Sequence, residues 1–179
     1  MNNELKKMIL ASLFIALGIV LPFLTAGSQE LGNMFSLMHI PILLAGFILG
    51  YKYGFIVGLL TPILRSVLIG TPPLMPIALS MMFELATYGL ISGLMYKLLP
   101  KNDINILFSL AVAMIVGRIV WGGAAMIFYG IAGWNFNFQT FITGGFITAA
   151  PGIAIQLVLI PLLFTRLKET GLLERLNES

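Results

Sequence analysis

The chain has 179 residues, of which 59% are hydrophobic and 9% are charged, and its formal net charge is +3. Soluble domains carry about 25% charged residues, so this composition excludes a soluble globular protein and predicts an integral membrane protein. The chain contains no cysteine and no GxxxxGK[ST] loop, which excludes disulfides, thiolate metal sites and ATP hydrolysis by a P-loop of its own.

Six apolar segments predict six transmembrane helices, because a helix needs about 20 residues to cross about 30 Å of hydrocarbon. The second is short, and we expect it to be re-entrant at its outer end or shielded there by a neighbouring loop. The predicted fold class is an all-α membrane protein, with residues 1–179 forming a single substrate-binding domain. In chain order the predicted spans cover residues 8–26, 38–50, 53–70, 76–99, 104–129 and 145–165.

The basic residues between the spans predict the orientation of the bundle. The connections 27–38, 70–75 and 130–146 contain no Lys or Arg, whereas the other connections and both tails do. Basic residues in short loops stay on the cytoplasmic side, so both termini are predicted to be cytoplasmic. These cations meet lipid headgroups, and they therefore predict no nucleic-acid partner. They are Lys6, Lys7, Lys52, Lys97, Lys101, Arg166, Lys168 and Arg175.

Four spans each carry a strongly polar residue in the predicted outer half of the membrane: His39, Arg65, Glu84 and Arg118. Ionised groups at this depth are costly, so we expect them to face the bundle interior and one another. One interpretation is structural, with Glu84 paired to one arginine. Two arginines and one carboxylate nevertheless leave one surplus positive charge, which a bound anionic or strongly polar ligand would neutralise. The sequence therefore predicts a small-molecule site.

Aromatic and amide residues extend this candidate site. Tyr88 and Trp121 are candidate apolar walls. Trp134, Asn135 and Asn137 lie in an outer connection, where they form either an ordinary interfacial belt or a cover that stacks on a ring and bonds its edges. The single histidine of the chain predicts no metal site, and no cofactor is predicted.

Small residues recur at four-residue spacing in two places, a spacing that lets membrane helices approach closely. The stripe Gly46xxxGly50xxxGly54xxxGly58 indicates either packing within the bundle or a surface for a partner membrane protein. Ser12xxxAla16 on the first span is a second, shorter pair, and it is the candidate partner-docking site.

Several stretches of the first four spans carry a family resemblance. They include Met38-His39-Ile40-Pro41, Thr61-Pro62-Ile63-Leu64-Arg65 and Phe83-Glu84-Leu85-Ala86-Thr87-Tyr88-Gly89. The chain resembles the substrate-binding S components of energy-coupling factor (ECF) transporters, which are small bacterial membrane proteins that capture vitamins. It resembles them in these stretches, in its length and in its number of spans.

The resemblance implies a function and a set of partners. The cargo would be pantothenate, pyridoxine or a hydroxymethylpyrimidine-like compound, and the chain would not be an enzyme. The partners would be a membrane coupling protein and two ATPase subunits in a bacterial plasma membrane. The family's AxxxA docking motif corresponds here to Ser12xxxAla16.

Two other classes remain as alternatives. A stand-alone secondary transporter would use Glu84 as a proton carrier and would usually show an internal repeat, which is not evident between residues 1–90 and 91–179. An intramembrane serine protease would need a serine near a histidine, but Ser92 and His39 lie towards opposite predicted faces.

Overall fold

The computed structural model describes residues 3–25 and 28–170, and this part of the chain is almost entirely helical. A 3₁₀ turn, Leu21–Thr25, extends the first helix. Two short π-helical segments, Leu74–Ala78 and Thr143–Ile147, each precede the next long helix in the chain. The α-helices are α1 (Asn3–Val20), α2 (Gln29–Phe35), α3 (His39–Leu49), α4 (Tyr51–Ile69), α5 (Leu79–Leu98), α6 (Asp103–Ile131), α7 (Phe138–Ile142) and α8 (Ala150–Glu169).

The prediction of six membrane spans is confirmed. Within the described residues, six helical segments are long and apolar enough to cross a membrane. The second of them joins α2 and α3 into one segment, Glu30–Leu49, which is longer than the span predicted at 38–50. The spans expose many large apolar side chains, including Leu24, Val67 and Phe108, as expected of surfaces that face lipid.

The two ends of the bundle differ in character. At the end that carries the termini, the Tyr53 hydroxyl donates to Glu4 and the Lys97 ammonium lies over the Tyr51 ring, so α1, α4 and α5 meet there. We call this the terminal end. The opposite end, made by the described residues 21–25, 28–38, 70–78 and 132–149, is called the distal end. The predicted cytoplasmic cations lie at or near the terminal end of their helices, except Arg175, which lies outside the described residues.

Helix α3 forms the centre of the bundle. All of its residues except Ile48 are buried, because its sequence is apolar around the whole circumference. It packs against α1, α4, α5 and α8. The Gln156 side-chain amide of α8 donates to the carbonyl of Ser36, which lies shortly before the start of α3. Helix α3, the inner part of the second span, is thus shielded by neighbouring helices, and its first residue, His39, is buried.

The glycine stripe packs within the molecule. A Cβ added at Gly54 would lie 2.5 Å from the Gly89 carbonyl oxygen, and one added at Gly58 would lie 2.1 Å from that of Leu85. Gly46 makes an equally close approach to Ser92. Gly50 differs, because it has φ of +87° and forms the turn between α3 and α4. The stripe therefore holds α3 and α4 against α5, and its three packed glycines are not available to a partner.

Candidate functional site

A cavity of about 410 Å³ lies at the distal end of the bundle. Its volume falls in the range of small-molecule sites, roughly 300–1,000 Å³. The wall combines charged, uncharged polar and aromatic side chains, so the cavity suits a small polar molecule better than a lipid. The polar and aromatic lining comprises Phe23, Thr25, Ser28, Asn33, Ser36, His39, Arg65, Thr71, Glu84, Arg118, Trp121, Tyr129, Phe136, Thr140 and Thr148.

Glu84 is the centre of a buried cluster in this wall. Its side-chain oxygen Oε1 accepts a hydrogen bond from the Tyr88 hydroxyl at 3.0 Å, and it lies 3.4 Å from Arg118 Nε and 3.6 Å from His39 Nε2. All three contacts go to Oε1, and Glu84 is only 2% exposed. Among the described residues, Oε2 has no hydrogen-bond partner. One carboxylate oxygen is thus held by the protein, and the other remains able to accept from a ligand.

The local sequence explains how the cluster assembles. Glu84 and Tyr88 are four residues apart on α5 and therefore lie on one face of the helix. Arg118 is on α6, and the residue before it, Gly117, leaves the space that the Tyr88 ring occupies. Tyr88 is fully buried behind Glu84 and does not line the cavity, so its role is to position the carboxylate.

Arg65 lies in the same cavity wall but outside the cluster. Its Nη1 donates to the Ile19 carbonyl at the end of α1, and its guanidinium carbon lies 5.2 Å from the centroid of the Phe23 ring. The side chain is 8% exposed and has no carboxylate partner among the described residues. Arg118 is therefore the arginine that pairs with Glu84, and Arg65 carries the surplus positive charge.

Other polar atoms of the cluster also lack partners. Arg118 Nη2 and both ring nitrogens of His39 are buried without a hydrogen bond among the described residues. At 3.6 Å, the contact between His39 Nε2 and Glu84 exceeds the usual hydrogen-bond length of about 3 Å. Buried donors and acceptors are normally satisfied. The cluster therefore keeps several polar atoms without a hydrogen bond inside the described part of the protein.

An aromatic group closes one side of the cavity. The Trp121 ring packs edge-on against Phe136 and stacks on Phe141, at centroid distances of 5.6 and 6.0 Å. Gly145 makes room for it, since a Cβ there would lie 3.3 Å from the indole. Trp121 thus presents a fixed apolar surface on which the less polar part of a ligand can rest.

The remaining residues of the outer connection do not line this cavity. Trp134 is 51% exposed and packs against Tyr129, and Asn135 is also exposed. The Asn137 side chain caps α7 by accepting from the Thr140 backbone N–H at 2.8 Å, and it borders a neighbouring pocket. The connection reaches the main cavity through Phe136 and Thr140 instead.

Uncharged polar residues of the distal connections were absent from the predicted site. Ser28, Asn33 and Ser36 enter the cavity from the segment around α2, and Thr148 enters from the turn before α8. The sequence signal for these cavity residues is weak, because it consists only of connections that lack basic residues and are rich in Ser, Asn and Thr. Such residues are common in any loop, so they did not stand out.

Replacing Gly117 by Ala tests whether the protein depends on the space that Gly117 leaves for the Tyr88 ring. The new Cβ would lie 2.1 Å from two carbons of the Tyr88 ring, so the ring must shift and its bond to Glu84 must lengthen or break. We expect a loss of about 1 kcal/mol of stability, because overpacking is costly in a filled core. Thermal unfolding in detergent measures it. Gly130→Ala on the same helix is the matched control, since nothing lies within 4 Å of its added Cβ. Equal stability of the two variants would contradict the prediction.

Six membrane-spanning helices around a charged, aromatic-lined cavity define a helical membrane protein that can hold a small polar molecule inside its bundle. The family model for the substrate-specific component of ECF transporters matches residues 6–167, nearly the whole chain. The chain therefore belongs to this family, and it is the specificity subunit of an ECF importer rather than an enzyme. Its partners are a small-molecule substrate and the coupling and ATPase subunits of the transporter. No curated protein and no solved structure matches the chain significantly.

Proposed function

We propose that this protein captures a small water-soluble vitamin or vitamin precursor, of the pantothenate, pyridoxine or hydroxymethylpyrimidine kind. The observation that carries the proposal is the cavity in which His39, Arg65, Glu84 and Arg118 meet. All three compounds combine hydroxyl or amide groups with a compact body that the cavity can accommodate. Glu84 Oε2 accepts from a hydroxyl or amine, the arginines bind electron-rich oxygens, and Trp121 packs against the body of the cargo.

The proposal includes an orientation in the membrane. The distal end, which holds the cavity, faces the outside of a bacterial plasma membrane, and the terminal end faces the cytoplasm. The support is the charge pattern, because the described Lys and Arg residues outside the cavity belong to the terminal end. Trp134, Asn135 and Asn137 then lie on the outer surface, where an inward movement of their connection would cover the bound cargo.

The proposed surface for the coupling protein is the face of α1 that contains Ser12 and Ala16. Both residues are exposed, and the Ser12 hydroxyl donates to the Met8 carbonyl of its own helix. This face therefore presents small side chains with their polar atoms satisfied, which allows another helix to approach closely. Coupling to ATP hydrolysis by two ATPase subunits would pass through this contact.

Mass spectrometry of the ligand retained by the purified protein tests the proposed cargo and site. The wild type is expected to retain a vitamin or precursor, and Arg65→Ala and Glu84→Ala are expected to lose it. Full retention by both variants would contradict the proposed site.

Uptake by reconstituted vesicles separates the receptor from the stand-alone transporter. The chain alone is expected to bind cargo without concentrating it, and uptake is expected only with the coupling module and ATP. Concentrative uptake by the chain alone, driven by a proton gradient, would contradict the receptor function and favour a secondary transporter.

A further inference from the structure

The two cavity arginines differ in their electrostatic surroundings. Arg118 lies 3.4 Å from the Glu84 carboxylate, whereas Arg65 lies near no carboxylate among the described residues. The partners of Arg65 are a backbone carbonyl and an aromatic ring, and neither carries a full negative charge. A buried cation without a counter-charge is costly. Among the described residues, nothing balances the charge of this anion-binding group.

One contact of Arg65 has a structural explanation. Ile19 lies in the last turn of α1, and the last four carbonyls of an α-helix have no partner within the helix. Arg65 Nη1 supplies a donor to one of them, the Ile19 carbonyl. The guanidinium has five N–H donors, and this contact occupies one nitrogen. The rest of the group lines the cavity, where it is able to bind a planar carboxylate through two parallel bonds.

The charge balance limits the ligand further. Counted by formal charge, Arg65, Arg118 and Glu84 give the cavity wall a sum of +1. One carboxylate neutralises this sum. A phosphate ester carries close to two negative charges at neutral pH, and it would leave a buried negative charge instead. A neutral alcohol would leave Arg65 without a counter-charge.

Building on the proposed function, we infer that the cargo is an organic monoanion whose carboxylate binds Arg65, while its uncharged hydroxyl or amide groups meet the Glu84 cluster. Arg65 is the residue that determines specificity for charge. Of the three proposed cargoes, pantothenate has this chemistry, and neutral pyridoxine and hydroxymethylpyrimidine do not.

Calorimetric binding of a matched ligand pair tests the inference. Pantothenate and pantothenol differ only in that a carboxylate in the first is a hydroxymethyl group in the second. Hydrogen bonds to charged groups are the stronger ones, so the wild type is expected to bind pantothenate about tenfold to a hundredfold more tightly than pantothenol. In Arg65→Gln this preference is expected to fall to about threefold or less, because the amide retains a donor for Ile19 but carries no charge. Arg65→Lys is expected to keep part of the preference.

The outcomes distinguish a role of Arg65 in specificity for a charged ligand from a purely structural role. If Arg65 serves only to bind the end of α1, Arg65→Gln weakens both ligands equally and the inference is overturned. Wild-type binding of pantothenol as tightly as pantothenate, or binding of pyridoxine or hydroxymethylpyrimidine in place of pantothenate, also overturns it but leaves the proposed function intact. Failure of the folded wild type to bind any member of this panel overturns the proposed function, and the inference with it. The wild-type comparison holds even if the variants fold poorly.

Discussion

Glu84→Gln is expected to lower the free energy of unfolding by about 3–5 kcal/mol, the cost of leaving one member of a buried ion pair without its partner. The substitution removes the charge that neutralises Arg118 and weakens the acceptor for the Tyr88 hydroxyl. Cargo binding should be weakened as well, because the amide that replaces the carboxylate is a poorer acceptor for the hydroxyl or amide groups of the cargo. Thermal or denaturant unfolding in detergent, together with calorimetric binding, measures both effects.

Two further variants test whether the loss of stability comes from breaking the ion pair between Glu84 and Arg118. The double variant Glu84→Gln/Arg118→Met is expected to be more stable than Glu84→Gln alone, because removing both charges leaves none uncompensated. Glu169→Gln is the matched surface control, since its pair with Arg166 is exposed at the end of α8 and should contribute nothing measurable. Unchanged stability of Glu84→Gln would mean that the Arg118 charge is balanced by something other than this carboxylate.

The sequence was sufficient to predict the parts of this structure that follow from the free-energy cost of placing polar groups in lipid. Six apolar stretches had to become helices, because every backbone polar group needs a partner inside the membrane. The same cost predicts that His39, Arg65, Glu84 and Arg118, on four different helices, turn inwards towards each other. The structure brings His39, Glu84 and Arg118 together and places Arg65 outside this cluster.

The pairing of the arginines could not be derived in this way. Counting residues from the helix ends gives the depth of a side chain, and it placed Arg65 and Arg118 at similar levels. Which of them meets Glu84 depends on the rotation of each helix about its axis, and that rotation is set by the close contacts of Gly54 and Gly58 with α5 and of Gly117 with Tyr88. Those contacts involve residues distant in sequence.

The distal connection illustrates a second limit. From the sequence, Asn137 is either part of an interfacial belt or a residue covering the site, because an amide in an aromatic loop suits ligand binding. The structure shows a short helix, α7, that begins directly after it and uses its side chain as an N-cap. Asn is a favoured N-cap residue because its side-chain oxygen accepts from a free N–H of the first turn. A five-residue helix was too short to stand out from the loop around it.

Gly58→Ala is the second substitution expected to have a large effect, because it separates the two helices that carry Arg65 and Glu84. The added Cβ would lie 2.1 Å from the Leu85 carbonyl oxygen and 2.4 Å from its carbon. Backbone atoms cannot rotate away as a side chain can, so α4 must move away from α5. Leu85 is the neighbour of Glu84, and Arg65 lies two turns beyond Gly58, so the movement widens the cavity between its two charged groups.

We expect Gly58→Ala to destabilise the protein by about 1–3 kcal/mol, the usual cost of overpacking a filled interior, and to weaken cargo binding about tenfold. Gly123→Ala on α6 is the matched control, because its added Cβ meets nothing within 4 Å and Ala is the better helix former. Its stability and affinity should match those of the wild type. If Gly58→Ala instead keeps full affinity while losing stability, the spacing of α4 and α5 does not determine the site. The bound molecule would then be held by one helix and its neighbouring connections rather than between the two.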